Sequence, residues 1–376
     1  MNGSKDAADI DRHDAAHSAH ADSNVSGPRD TGNGPREQPE RDEVKDFRQT
    51  LYTPTQITRL GSHYFIVDCW HHRIMYSERL DAPLNAWRTL DEDIAGPHSI
   101  ASNGTLYVAE DTGRHGLKVY REVATHVFRQ VQYLPDVGRR PHRVLHDAAR
   151  GVFLVVGSED QSLHMFGVRD GLLEPVLSTI VPELNGQYCR SITQRGDVLY
   201  LVGSNDIVAY RFDGMRLAYA GRRWALPEIC RGSNDIFFLD EPFGHNNAQA
   251  PASASMTTSA PDTARASSLT DKTPGTDPLA GGPGILTSTP GKAFVFASLD
   301  DLAAGRMQDI SSAFRGTPYY VSQFDGRLWI PDNTEYSAIR HYPLPFSASS
   351  LRSGTTLLDA GPARQISLDR KLSLPT

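Results

Sequence analysis

Apolar residues along this chain fall into short runs rich in Val, Ile, Tyr and Phe and bounded by Gly, Asn or Asp. Examples are HYFIVD at 63–68, TLYVAE at 105–110, GVFLVVG at 151–157, DVLYLVG at 197–203 and GRLWIPD at 326–332. Such runs predict short β-strands joined by tight turns. No stretch sustains a 3.6-residue apolar period between capping signals, so the folded part is expected to be almost entirely β. FIVDC, FLVVG and VLYLVG are apolar at nearly every position, which places both faces of these strands against other structure. Three segments break the pattern. Residues 1–46 have no Phe, Trp or Tyr, residues 246–282 are dominated by Ala, Ser, Thr, Pro and Gly, and residues 361–376 form a short polar tail. The first two bury too little surface to offset their ordering entropy. Residues 1–46 are therefore expected to be a disordered arm, and 246–282 a disordered insertion within the folded region 47–360.

The runs also recur. When PTQI, PHSI, PHRV, CRSI, SNDI and TPYYV are aligned, the equivalent positions are Thr55, His98, His142, Arg190, Asn234 and Tyr319. They are 43, 44, 48, 44 and 85 residues apart, the last interval containing the 37-residue insertion. Six units of about 45 residues, each with three or four strands, predict a six-bladed β-propeller with four-stranded antiparallel blades. Residues 47–53, FRQTLYT, are expected to close the ring by pairing with the last blade.

In that architecture the first strand of every blade lines a central channel, so Thr55, His98, His142, Arg190, Asn234 and Tyr319 ring one mouth. The turn after each second strand returns to that mouth and brings Asp68, Glu110 and Asp332 around it. His98, His142, Arg190 and Tyr319 are the candidate catalytic groups. A neutral imidazole takes a proton, a guanidinium stabilises a developing oxyanion, and a phenol returns a proton. Asp68, Glu110, Asn234 and Asp332 are the candidate ligand-binding groups. The set suits elimination, isomerisation or hydrolysis of a small polar or anionic metabolite. His98 and His142, on adjacent blades, also offer a donor pair to a divalent metal, zinc or a calcium-like ion. A non-catalytic propeller that presents its surface to a protein partner, or an accessory protein of a biosynthetic pathway, remains the alternative.

The motif Asp68-Cys-Trp-His-His-Arg-Ile74 resembles the D-x-x-N-H-R-I hallmark of NHL repeats, with His71 at the Asn position. The PHSIA and PHRVL openings resemble those of NHL-type propeller enzymes, notably the peptidyl-hydroxyglycine lyases and the virginiamycin B lyases. The resemblance spans residues 50–360 and is sharpest in the first two or three blades. It implies lyase-type chemistry. In the peptidyl-hydroxyglycine lyases three channel histidines bind zinc with an arginine and a tyrosine nearby. Here His98 and His142 match two of them, and the third position holds Arg190.

Composition removes several classes. Among 376 residues, 39% hydrophobic, no run approaches the roughly 18 to 20 apolar residues of a membrane helix, so no membrane association is expected. The net charge is −7, and residues 1–45 alone carry ten acidic against six basic side chains. That balance argues against a nucleic-acid partner. The N-terminus lacks a signal-peptide apolar core, and Cys69, Cys189 and Cys230 are too scattered for a disulfide framework or a CxxC site, so a cytoplasmic setting is expected. Walker loops and dinucleotide fingerprints are missing, which leaves no nucleotide cofactor.

Overall fold

The computed structural model describes residues 50–239, 278–289, 291–333, 336–344 and 355–362. The expectations for 1–46, for 246–277 and for 363–376 lie outside the described residues. The rest is a six-bladed β-propeller. Six antiparallel sheets cover residues 54–91, 100–134, 141–180, 189–225, 233–309 and 317–362, each with its strands in sequence order from the channel to the rim. These are blades 1 to 6. Their innermost strands are Pro54–Leu60, Ile100–Ser102, Pro141–Asp147, Cys189–Arg195 and Ser233–Phe238. In blade 6 the innermost strand is broken into Thr317–Pro318 and Ser322–Phe324.

The continuous apolar runs follow from this geometry. Alternate side chains of one strand face the two neighbouring blades, so neither face is left to water. Phe65 and Val67 pack with Tyr107 and Ala109 of blade 2, whereas Ile66 between them packs with Trp329 and Ile339 of blade 6. Each of the six apolar clusters spans one blade boundary. Among the described residues there is one α-helix, Leu299–Ala303, N-capped by Ser298, which accepts from the Asp301 amide at 3.1 Å. It lies between the last two strands of blade 5 and buries Leu299 and Leu302 in the cluster shared with blade 4.

Ring closure departs from the expectation. Residues 50–53 are not part of a strand, and blade 6 takes its outermost strand from Thr355–Pro362. Blade 1 instead packs side by side on blade 6. The Tyr320 amide donates to Thr55 O at 3.2 Å, and the Thr53 amide donates to Ser337 Oγ at 3.1 Å. Leu51, 1% exposed, fills the junction beside Ile57, Trp329 and Ile339. The ring thus closes by burial and a few hydrogen bonds across the junction, without a shared strand among the described residues.

Two outcomes follow. Leu51→Ala should destabilise the chain by about 2–4 kcal/mol, as expected for a buried Leu leaving a cavity, read as a shift in the denaturation midpoint. Removing residues 246–277 through a short Gly/Ser link should leave the melting temperature within a few degrees, because loop length enters only logarithmically. Extending the deletion to 282 should cost much more, since Leu279 packs on the blade 4–5 cluster, Ala280 is buried and Gly281 O accepts from Arg195 Nη1.

Candidate functional site

The residues of the predicted ring owe their placement to a backbone irregularity. The inner strand carries one residue more than its neighbour at Thr55, His142, Arg190 and Asn234. Pairing runs Pro141↔Gly157 and then Arg143↔Val156, for example, leaving His142 unopposed, and the other three show the same slip. His98 stands two residues before its strand begins at Ile100, and Tyr319 lies in the break of the blade 6 strand. Such a bulge turns the extra side chain away from the sheet, here into the mouth.

The structure brings four of these residues together. The His98 and His142 rings stack with centroids 3.7 Å apart and planes 29° apart. The Tyr319 hydroxyl is 3.3 Å from His142 Nε2, and the Tyr188 ring meets His142 edge-on at 5.4 Å. Arg190 lies over Tyr188 and donates to the neutral oxygens Asn234 Oδ1 at 3.2 Å and Thr289 Oγ1 at 3.4 Å. Both imidazoles are almost closed off, at 8% and 3% exposure. Burial pushes the His98 pKa down to about 3 and holds His142 well below 6.5, and the cations Arg140 and Arg190 add to both effects. Both rings are neutral at physiological pH. Their tautomers follow from their partners. The Thr112 hydroxyl donates to Pro141 O at 2.6 Å, so at 3.3 Å it accepts from His98 Nδ1–H, and the lone pair of His98 sits on Nε2 beside Cys69 Sγ.

Beneath this layer Tyr320, fully buried, reaches from blade 6 to place its hydroxyl, the donor, 2.8 Å from His142 O and 2.7 Å from Arg190 O, and the Arg143 guanidinium lies 4.0 Å over its ring.

The predicted outer shell has a different place. Asp68, Glu110 and Asp332 are fully buried, and so is Asn234, whose amide nitrogen donates to Pro318 O at 3.2 Å. Asp68 accepts from the Tyr52 amide, His71 Nδ1 and Arg73 Nε at 2.6–2.9 Å. Asp332 accepts from the Arg315 and Gly316 amides and from Arg340 Nε. Strand register makes Asp111, not Glu110, the counterpart of Asp68, since Asp68 pairs with Arg73 and Asp111 with Gly116. Asp111 accepts from the Ala95 amide and Arg114 in the same way. The loop histidines brace blades too. His72 Nδ1 accepts from the Gly96 amide at 3.0 Å and His115 Nδ1 from the Arg140 amide at 2.9 Å, both residues in the left-handed region. Glu110 accepts from the His98 and Ser99 amides and the Ser99 hydroxyl, which fixes the strand that carries His98. Its burial pushes its pKa up to about 8.

Sequence reasoning missed Arg140, Tyr188, Thr112 and Tyr320. Arg140 and Tyr188 stand two residues before the ring positions His142 and Arg190, a spacing that could have flagged them. Thr112 and Tyr320 had no signal beyond their place in the repeat. Two surface cavities of about 250 and 260 Å³ lie on blade 1, around Tyr76 and Arg79 and around Arg73 and Trp87, and neither is lined by His98, His142, Arg190 or Tyr319.

No family model matches the chain, and no curated protein matches it. Among solved structures, a protein from Lactobacillus plantarum superposes with a TM-score of 0.50 at 13% identity, over 82% of this chain and 85% of that one. A candidate 6-phosphogluconolactonase from Bacteroides fragilis NCTC 9343 gives 0.49 at 13% identity, over 78% and 80%. The likeness at these identities is one of fold.

The buried groups make stability depend on pH. Glu110 is raised from 4.5 to about 8, so the folded state holds the extra proton and stability falls as pH rises through that interval. His98 and His142 are lowered from 6.5, so the unfolded state holds the extra protons and stability falls as pH drops below 6.5. Between pH 6.5 and 8 the Glu110 effect stands alone among the three. Denaturation free energy should fall there by up to about 1.4 kcal/mol per pH unit. Glu110→Gln should remove that slope and keep the loss below pH 6.5; an unchanged slope would mean that Glu110 is ionised in the folded protein.

Proposed function

We propose that this propeller binds a small anionic metabolite at the mouth ringed by His98, His142, Arg190 and Tyr319, and converts it by lyase- or isomerase-type proton transfer. The observation that carries the reading is a pair of neutral, stacked imidazoles within the field of two guanidiniums, Arg190 and Arg140, the latter 3.9 Å from Glu159, with a phenol 3.3 Å from one ring nitrogen. Two cations whose field disfavours a protonated imidazole favour an anion in the same place. A bound carboxylate or phosphate would in turn raise the histidine pKa values and make His142 a usable base, with Tyr319 as its proton partner. Asp68, Glu110, Asn234 and Asp332 are assigned to holding the mouth in shape rather than to touching the ligand. The NHL-type reading is supported by the second copy of the Asp68–His72 arrangement at Asp111–His115.

Zinc of the kind the NHL-type lyases imply does not fit these residues. The two rings lie face to face instead of aiming lone pairs at a common point, His98 Nδ1 is engaged by Thr112, and Arg190 would oppose a cation. No step is assigned to a metal here. A scaffold role is the second reading. It draws on exposed Val127 and Tyr133 on the outer strand of blade 2 beside Leu172, Val176 and Ile180 on that of blade 3.

Calorimetric titration with a panel of small carboxylates and phosphate esters separates the two. Arg190→Lys should weaken binding about tenfold, because a point charge does not replace a planar fork. The double variant His98→Ala/His142→Ala should abolish it. Wild-type affinity in both variants would leave the scaffold reading.

A further inference from the structure

The far side of the propeller carries a second set of histidines that the mouth does not use. His63 opens the second strand of blade 1 and Asp68 closes it, so His63 lies about 17 Å from the mouth loops at ~3.3 Å per residue. Its ring is 1% exposed and is fixed by Phe65, Tyr76 and Phe128, with ring centroids 5.3–6.2 Å away. His63 Nε2 lies 2.8 Å from His126 Nδ1, in the last hairpin turn of blade 2, and Glu78 Oε1 lies 3.0 Å from the same His126 nitrogen. Glu122 Oε1 is 4.0 Å from His63 Nε2. The donor atoms of His63, His126 and Glu78, from two adjacent blades, lie within 4.8 Å of one another, the only such group of three or more among the described residues.

We propose that His63, His126 and Glu78 form a zinc site that clips blade 1 to blade 2. Two imidazole nitrogens and one carboxylate oxygen are a three-ligand set that zinc takes, with Glu122 or water in the fourth position. The outer contacts prepare the tautomer. Ser62 Oγ, 3.3 Å from His63 Nδ1, can accept the Nδ1 proton and leave the lone pair on Nε2, facing the other donors. Burial lowers the His63 pKa, so the ring is neutral and ready to ligate. Tetrahedral ligands at 2.0–2.1 Å from zinc sit about 3.3 Å apart, so the present 2.8 and 3.0 Å separations must widen by about half an ångström. His126 can supply that movement: it is partly exposed and sits in a left-handed turn with φ 60°. Arg88 Nη1, 3.4 Å from Glu78 Oε1, neutralises that carboxylate until a metal replaces it. The Glu122 carboxylate, which accepts from the His126 amide at 2.6 Å, holds the turn in reach.

The test titrates zinc alone into the chelator-stripped full chain, by calorimetry and by elemental analysis after dialysis. One zinc per chain is expected, with a raised melting temperature. His126→Asn, which tolerates the left-handed turn, and Glu78→Gln should each weaken zinc binding at least tenfold while leaving the metal-free melting temperature unchanged. The mouth variant His98→Ala/His142→Ala should bind zinc as the wild type does, which separates this site from the proposed function. Failure to retain zinc, or retention unchanged in the double variant His126→Asn/Glu78→Gln, or loss in the mouth variant instead, overturns the proposal.

Discussion

Where six innermost strands converge on one axis, their backbone amides lie too close to the neighbouring blade to be left to water, and apolar side chains there would strand them. At three ring positions the residue just below supplies the partner. Gln56 Oε1 accepts the Ile100 amide, Ser99 Oγ accepts the Val144 amide, and Asp235 Oδ2 accepts the Val321 amide, each bond crossing a blade boundary. Ser191 Oγ donates to Asp235, and Tyr320 meets the carbonyls of His142 and Arg190. This polar layer ties neighbouring inner strands together across blade boundaries, and the bulges just above it in four blades hold Thr55, His142, Arg190 and Asn234 where they are.

The same layer sets the electrostatics of the mouth. Tyr320 and Arg143 are buried against the strand that carries His142, and the two imidazoles stack on each other, so both rings are desolvated by what packs around them. Their neutrality follows from the architecture, and the cations Arg140 and Arg190 reinforce it. Glu110 shows the converse: it is tied to the amides of His98 and Ser99, and its burial raises the carboxyl pKa. One set of buried groups thus both positions the reactive side chains and suppresses their charge.

Blade number and the ring positions were legible in the sequence because both depend on local signals, namely a repeat spacing and the apolar residue that ends each opening block. The roles of Asp68 and Asp332 were not legible. Their main-chain partners, Tyr52 and Arg315 with Gly316, stand 16 or 17 residues earlier, and a carboxylate bound to amides reads the same in sequence as one free to meet a ligand. Glu110 was misaligned with Asp68 because adjacent acids at 110 and 111 differ by one register step, which only strand pairing resolves. Ring closure was misjudged for a related reason: FRQTLYT has strand-like composition, but Leu51 serves as a buried plug. His63 and His126 meet only through the side-by-side packing of two blades, and no spacing rule links them.

The repeat is least regular where it bears on charge at the mouth. Asp68, Asp111 and Asp332 occupy one structural position in blades 1, 2 and 6, whereas Gly157, Gly203 and Ser288 occupy it in blades 3, 4 and 5. A carboxylate at 288 would stand one residue from Thr289, whose hydroxyl accepts from Arg190 Nη1 and donates to Gly232 O. Arg190 bonds neutral oxygens at this side of the mouth, whereas the same repeat position in blade 2 pairs Asp111 with Arg114. In blade 3 the Asp160 carboxylate takes the space beside Gly157 and accepts the Arg139 amide at 2.8 Å, so there the acid has moved along the chain and kept its task of tying down a main-chain amide. The cations Arg140 and Arg190 both lower the pKa of the stacked imidazoles, and cations so placed favour a small anion against the neutral rings.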